Sequence, residues 1–155
     1  MTFRRPLAIA LMALAMPLML ASPAANAAEQ TFFPNQDVAG FLVLKLDLAS
    51  FRNSLGPMRT ETRRTFSELG MAVTSSKPDE VVIDTENWHY RLRVLRRADI
   101  NRDGVEDVEV CFTEESKLGS YRQQQPLLVT RYAHSGYAVA LKYEVEGCKS
   151  SPRPR

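Results

Sequence analysis

Alternation between apolar and polar residues dominates the chain after its first 28 positions. Tyr90, Leu92 and Val94 alternate with arginines, and the segment 107–113 repeats the pattern with Val108 and Val110 on one side. A period of two is typical of β-strands that have one face on a core and the other in solvent. The pattern predicts strands over 80–83, 88–97, 107–113, 127–132 and 137–145, with a turn at 133–136 that joins the last two as a hairpin.

Two segments before residue 71 do not alternate. Residues 40–48 form a dense apolar run, which predicts a strand buried on both faces near the centre of the sheet. Between Pro57 and Gly70 the apolar residues fall near helical spacing, and proline suits the first turn of a helix as glycine suits its end. Threonines within this segment weaken the helix, because β-branched side chains lose rotamer freedom there. We expect an α+β, mostly β fold, with an antiparallel sheet of about five to seven strands and this one short helix.

The first 27 residues have the features of an export signal. Two arginines precede an apolar run from Leu7 to Leu20, and the segment 25–27 supplies the small residues that a signal peptidase recognises. We therefore expect a cleavable signal peptide over residues 1–27 and a periplasmic or secreted product. The alternative is an uncleaved anchor, but the roughly 16 residues from Pro6 to Ala21, interrupted by Pro17, are fewer than the roughly 20 that span a bilayer. We expect no membrane span in the mature chain.

The rest of the chain has the length of one domain and a balanced charge. We expect a single globular domain over residues 28–148 and a disordered basic tail over 149–155, which contains two prolines and nothing to bury. The full chain has 20 Lys and Arg residues and 18 Asp and Glu residues, and two of the arginines lie in the signal. A nucleic-acid-binding protein would keep a basic excess. Nucleic acid is therefore excluded as an expected partner.

Cys111 and Cys148 are the two cysteines of the chain. A lone pair of cysteines in an oxidising compartment usually forms a disulfide, and two unpaired thiols are the alternative. Cys111 alternates with Val110 and Phe112, and Cys148 continues the polar face of the last strand. We therefore predict a disulfide that lies off the main apolar face.

The segment 99–107 carries a constellation with recognisable chemistry. It places oxygen-bearing side chains at its first, third, fifth and ninth positions and a glycine at its sixth. This spacing suits Ca²⁺, because alternate residues of a tight loop direct oxygens inward while the glycine takes the sharp turn. The candidate metal ligands are the side chains of Asp99, Asn101, Asp103 and Asp107 and the backbone carbonyl of Val105.

The stretch from Val94 to Val110 resembles the strand–loop–strand calcium loop of the FG-GAP and related integrin-like repeats. Their pattern is Asp-x-Asn-x-Asp-Gly-x-x-Asp followed by an apolar residue, and Arg102 departs from it because glycine is common at that position. The resemblance implies a structural calcium ion. The motif occurs once here, whereas those repeats build propellers from several copies, so neither a propeller nor an adhesion role is implied. The matching residues are Asp99, Asn101, Asp103, Gly104, Asp107 and Val108.

A turn without metal is the alternative interpretation of the same residues. Asp, Asn and Gly are common in strand connections, because they tolerate turn geometry and bond to their own backbone. Three carboxylates in one loop would repel each other without a cation, but Arg96, Arg97 and Arg102 are close enough in sequence to neutralise them. The sequence leaves both interpretations open.

Other residues do not form a recognisable catalytic pattern. His89 lies between two aromatic residues and His134 lies in a turn, and neither stands in a nucleophile motif. We expect no catalytic residues and a non-enzymatic exported domain, stabilised by calcium if the loop binds it, that binds or supports an envelope protein or glycan. The alternative is a small periplasmic inhibitor of a hydrolase, similar to lysozyme inhibitors, which would share the compartment, the size and the disulfide.

Overall fold

Seven strands and one short helix make up the regular structure that the computed structural model describes, over residues 30–52, 55–142, 144 and 146–149. The expected signal peptide and most of the expected tail lie outside the described residues. The mostly β fold with one short helix is confirmed. The elements are α1 (Val38–Lys45), β1 (Leu46–Asp47), a 3₁₀ turn (Leu48–Ser50), β2 (Val73–Lys77), β3 (Glu80–Asp84), β4 (Trp88–Ala98), β5 (Asp107–Ser116), β6 (Arg122–Thr130) and β7 (Ala138–Lys142).

The strands form one sheet in the order β1-β7-β6-β5-β4-β3-β2. From β7 to β2 every neighbouring pair is antiparallel, and the predicted hairpin between β6 and β7 is present. The two-residue strand β1 pairs in parallel with β7. The sheet is therefore mixed rather than purely antiparallel. No helix among the described residues is long and apolar enough to cross a membrane.

The apolar run 40–48 is not the central strand that its composition predicts. Most of it belongs to α1, which begins after Asp37, whose carboxylate accepts a hydrogen bond of 3.2 Å from the Gly40 N–H. Leu42 is fully buried while Leu44 is 54% exposed, although both would face the same side of a strand. A short apolar run does not distinguish a buried strand from a buried helix. The buried residues of α1 recur with helical spacing: Val38, Ala39, Leu42 and Val43.

The predicted helix between Pro57 and Gly70 is also wrong. The chain there forms a single turn, in which Thr65 and Glu68 cap each other: the Glu68 N–H donates to Thr65 Oγ1 (3.1 Å), and the Thr65 N–H donates to Glu68 Oε2 (3.0 Å). Gly70 ends the turn with a positive φ of 72°. Residues that commonly begin and end a helix are therefore present, but they bound a single turn rather than a helix. This turn places Phe66 in the core.

The core lies on one face of the sheet, between the strands and α1. Leu92, Val110 and Phe112 point into it as predicted, together with Phe66. The opposite face carries the Cys111–Cys148 disulfide, whose Cα atoms are 5.5 Å apart and which packs with Leu95. Both the disulfide and its position off the main apolar face are confirmed.

Arg131 joins distant parts of the chain just after β6. The residue is 3% exposed, and its guanidinium donates to the backbone carbonyls of Phe32, His134 and Gly136. It also lies 4.9 Å from the centre of the Phe41 ring. Burial lowers the pKa of Arg131. The hairpin turn, α1 and the segment before α1 therefore meet at one side chain.

Candidate functional site

The candidate calcium loop connects β4 to β5. Its two ends are adjacent, because Ala98 pairs with Asp107 in the antiparallel ladder. Gly104 has a φ of 85°, so the glycine takes the turn as predicted, and Arg102 has a φ of 65°. A side chain is strained in this left-handed conformation. The geometry explains why glycine is favoured at the position where this chain departs from the FG-GAP pattern.

The oxygens at the first three candidate positions bend back over the loop. Asp99 accepts hydrogen bonds of 2.9 Å from the N–H groups of Asp103 and Gly104, one on each carboxylate oxygen. Asn101 Oδ1 accepts from the Asp103 N–H at 3.0 Å, and Asp103 Oδ1 accepts from the Val105 N–H at 2.9 Å. These side chains are therefore organised by the loop backbone rather than spread into solvent.

Asp107 closes the base of the loop from inside the protein. It is fully buried, and its Oδ2 accepts hydrogen bonds of 3.2 Å from the N–H groups of Ile100 and Asn101. Its Oδ1 is buried and has no hydrogen-bond partner. A buried carboxylate oxygen without a partner is costly and rare in folded proteins. The base of the loop therefore contains one buried carboxylate oxygen that accepts no hydrogen bond.

Two of the three arginines that could neutralise the loop pair with glutamates rather than with the candidate ligands. The guanidinium of Arg96 lies 2.9 Å from Glu109, and that of Arg97 lies 2.8 Å from Glu106. Within the described part of the chain, no basic side chain lies within ion-pair distance of Asp99, Asp103 or Asp107. The three loop carboxylates consequently have no counter-charge from these residues.

Contacts from outside the loop hold it in place. Gln30 forms an isolated parallel bridge with Val105, with its N–H donating to the Gly104 carbonyl (3.0 Å) and its carbonyl accepting from the Glu106 N–H (2.8 Å). The Tyr132 hydroxyl donates to Asp103 Oδ2 at 2.6 Å and so keeps the pKa of Asp103 below its ordinary value. The loop is therefore clamped by a segment on each side.

The five candidate ligands occupy one short loop, but they do not form a complete metal centre in this arrangement. Among the described residues, no group of three or more His, Cys, Asp and Glu side chains is placed so that it could hold a metal ion. The donor set is nonetheless entirely oxygen, which suits Ca²⁺, and Asp107 Oδ1 is free to accept a cation.

A second candidate site, which we call the aromatic cleft, lies at the other end of the β4–β5 hairpin. The cleft has a volume of about 570 Å³ and is lined by Trp88, Tyr90, Tyr121 and Glu114, with the segment 56–59 along its rim. Glu114 is 2% exposed; it accepts a hydrogen bond of 2.5 Å from the Tyr121 hydroxyl and one of 2.6 Å from the Gly56 N–H. The sequence contained a signal for this site, because continuing the β5 alternation places residue 114 on the same face as residue 112.

Neither histidine belongs to these sites. His89 Nδ1 lies 3.0 Å from Asp84 Oδ1 across the β3–β4 pair. The ring of His134 packs edge-on against Phe32, with 5.1 Å between ring centres. Both therefore make contacts within the fold, His89 with a carboxylate and His134 with an aromatic ring. A scan against protein-family models finds no match to the chain, and searches of curated proteins and of solved structures find no match either.

Proposed function

We propose that this chain is an exported, non-enzymatic domain that binds or supports another component of the cell envelope, and that its 99–107 loop holds a calcium ion. The ion has a structural role: it fastens the β4–β5 hairpin at the end where that hairpin reverses. The side-chain oxygens of Asp99, Asn101, Asp103 and Asp107 and the carbonyl of Val105 are the proposed ligands.

The observation that carries the calcium proposal is the unpartnered Oδ1 of Asp107. The residue is fully buried, so water does not reach this oxygen freely, and yet the oxygen accepts no hydrogen bond. A metal-free turn would be expected to provide a donor at this position, because each unpaired buried oxygen costs roughly 1–3 kcal/mol. A hard cation at the base of the loop would remove this cost.

The charge balance around the loop supports the same proposal. Asp99, Asp103 and Asp107 have no ion-pair partner among the described residues, while Arg96 and Arg97 pair with Glu109 and Glu106. A divalent cation would supply the missing positive charge.

The disulfide supports the compartment that we propose. Cys111 and Cys148 form a disulfide, and the two residues are only 3% and 2% exposed. Structural disulfides persist in the periplasm and outside the cell and are rare in the cytosol. Extracellular calcium modules bind at roughly 10⁻⁴–10⁻³ M, which suits a compartment in which calcium is plentiful.

Thermal unfolding with calcium and with chelator tests the proposal. At a calcium concentration about tenfold above the dissociation constant, mass action adds about 1.4 kcal/mol to the free energy of unfolding, which raises the midpoint by about 5 °C. The Asp107→Asn and Asp103→Asn variants should lose this response. Asp79→Asn is the matched control, because Asp79 is an exposed aspartate in the β2–β3 turn; it should respond like the wild type.

The result that would contradict the calcium proposal is a wild-type midpoint that is the same in chelator and in about 10 mM calcium, where even weak extracellular sites fill. An equal shift in the wild type and in both loop variants would assign the effect to another part of the surface and would also contradict it.

A further inference from the structure

The aromatic cleft is separate from the calcium loop and needs its own explanation. The two sites lie at opposite ends of the β4–β5 hairpin: Tyr90 pairs with Glu114 near the cleft, and Ala98 pairs with Asp107 at the loop. The cleft volume of about 570 Å³ lies in the range of pockets that hold small molecules. A site here does not depend on the function proposed above.

The cleft is lined by a buried carboxylate, that of Glu114, which has no ion-pair partner among the described residues. Glu114 is 2% exposed, and the Tyr121 hydroxyl and the Gly56 N–H, which donate hydrogen bonds to it, are both neutral. No basic side chain of the described chain lies within ion-pair distance of it. A buried charge without an opposite charge costs several kcal/mol. A cationic ligand in the cleft would compensate this cost.

The walls of the cleft are aromatic rings around this carboxylate. Trp88 and Tyr90 are nearly parallel, at 16°, and Trp88 meets the Tyr121 ring at 80° with 5.6 Å between centres. Ring faces carry negative potential and attract organic cations. Burial and the charge of Glu114 raise the pKa of Tyr90 to about 12, so this phenol is neutral at physiological pH.

Arg59, which also lines the cleft, limits the charge that a ligand can carry. The guanidinium of Arg59 donates to the carbonyls of Leu55 (2.8 Å) and Phe51 (2.9 Å), so it is committed to the backbone of its own segment. Its charge disfavours a ligand with a second positive centre nearby. A bare metal ion is disfavoured too, since hard cations need six or more oxygens and this cleft offers one carboxylate among aromatic rings.

We propose that the aromatic cleft binds a small organic cation with a single ammonium group, which pairs with Glu114 and packs against Trp88, Tyr90 and Tyr121. The same chemistry is carried by a free amine and by a lysine side chain. The cleft volume favours the free amine, because it is large enough to enclose a whole small molecule.

The chain's single tryptophan makes a direct assay possible. Trp88 lines the cleft and is the only tryptophan in the sequence, so its fluorescence reports on the cleft without labelling. We expect a saturable change on titration with n-butylammonium, with 1-butanol of the same shape binding about tenfold more weakly or worse, since it lacks the charge. The neutral sugar N-acetylglucosamine should give no saturable change. All titrations use the full protein at constant ionic strength.

Matched variants test whether the charge of Glu114 is responsible for the binding of the amine. Glu114→Gln keeps the size and an acceptor oxygen but removes the charge, and it should weaken n-butylammonium about tenfold or more. Glu115→Gln is the control, because Glu115 is the next residue of β5 and pairs instead with Arg122 at 3.4 Å. It should bind like the wild type. Tyr121→Phe keeps the ring and should bind within about threefold of the wild type.

Several results would overturn the proposal. These are equal binding of n-butylammonium and 1-butanol to the wild type, wild-type affinity in Glu114→Gln, and saturable binding of N-acetylglucosamine. A blocked lysine peptide that binds about tenfold tighter than n-butylammonium would overturn the assignment to a small molecule. The wild-type comparison of amine with alcohol decides the question even if Glu114→Gln does not fold.

Discussion

The Asp84 carboxylate lies 2.8 Å from Lys117 Nζ, so the end of β3 is tied to the connection that follows β5. The same carboxylate contacts His89 and accepts a hydrogen bond of 3.0 Å from the Thr74 hydroxyl. The hydrogen bond from Lys117, followed by that from His89, lowers the pKa of Asp84 to about 2. Three strands and a turn therefore depend on one ionised side chain.

This pair predicts a component of stability that depends on pH. The folded-state pKa of Asp84 lies below the ordinary value of 3.8, so the stabilisation is complete above that value and is lost as the pH falls from 3.8 toward about 2. We expect Asp84→Asn to lower the free energy of unfolding by roughly 0.2–1 kcal/mol at neutral pH, because the pair is partly exposed. The difference from the wild type should become small as the pH approaches 2 and should vanish below it.

Urea unfolding at neutral and acid pH measures this component. Glu86→Gln is a suitable control, because Glu86 is exposed in the β3–β4 turn beside the pair. The control should follow the wild type at both pH values. A difference between Asp84→Asn and wild type that stays constant down to pH 2 would show that the charge of Asp84 is not responsible.

The helical character of residues 38–45 predicts unequal effects at two neighbouring leucines. Leu42 is fully buried, and Leu44 is 54% exposed. Leu42→Ala should therefore cost about 2–5 kcal/mol of stability, while Leu44→Ala should change it by less than about 0.5 kcal/mol. Chemical denaturation of both variants is the measurement. Equal losses at the two positions would favour a strand, in which both side chains share one face.

The disulfide should contribute a large part of the stability. It joins cysteines that are 37 positions apart, and closing a loop of this length in the unfolded chain is worth about 4 kcal/mol on the chain-entropy model. We expect the double variant Cys111→Ser, Cys148→Ser to lose about this much in urea unfolding. Wild-type protein treated with reductant should match the variant. A midpoint unchanged by reductant would mean that the bond adds little.

Strands whose sequences alternate between apolar and polar residues were predictable, and β2, which has no such pattern, was missed. β3 buries every second residue, and β4 and β5 alternate in sequence, although β5 is buried along most of its length. β7 was also located, but it buries Ala138 and Ala140 rather than the larger Val139 and Leu141. β2 is exposed along its whole length and rich in Ser and Thr, so it has no apolar face to detect. α1 was misassigned because it is apolar on almost every side, and the Asp37 cap was the signal that favoured a helix.

The two candidate sites differ in how much of each was visible in the sequence. The loop was found because its ligands follow one another at fixed spacing, and that pattern needs no tertiary information. The partners of the neighbouring arginines could not be predicted. The pairing of Arg96 with Glu109 depends on an irregularity in β4 between Val94 and Arg96. The aromatic cleft is assembled from three separate segments. Trp88, Glu114 and Gly56 meet only when the sheet has formed, so the alternation in β5 could place residue 114 on the core face but could not place it beside the other two.

Arg131 makes the stability of two remote stretches of chain interdependent. Its guanidinium satisfies carbonyls at Phe32 on one side and at His134 and Gly136 on the other. If either stretch unfolds locally, the buried guanidinium of Arg131 loses hydrogen-bond acceptors. No carboxylate of the described chain forms an ion pair with it that could compensate for this loss. The hairpin tip and the segment before α1 should thus open together, as a single cooperative unit, although about a hundred residues of chain separate them.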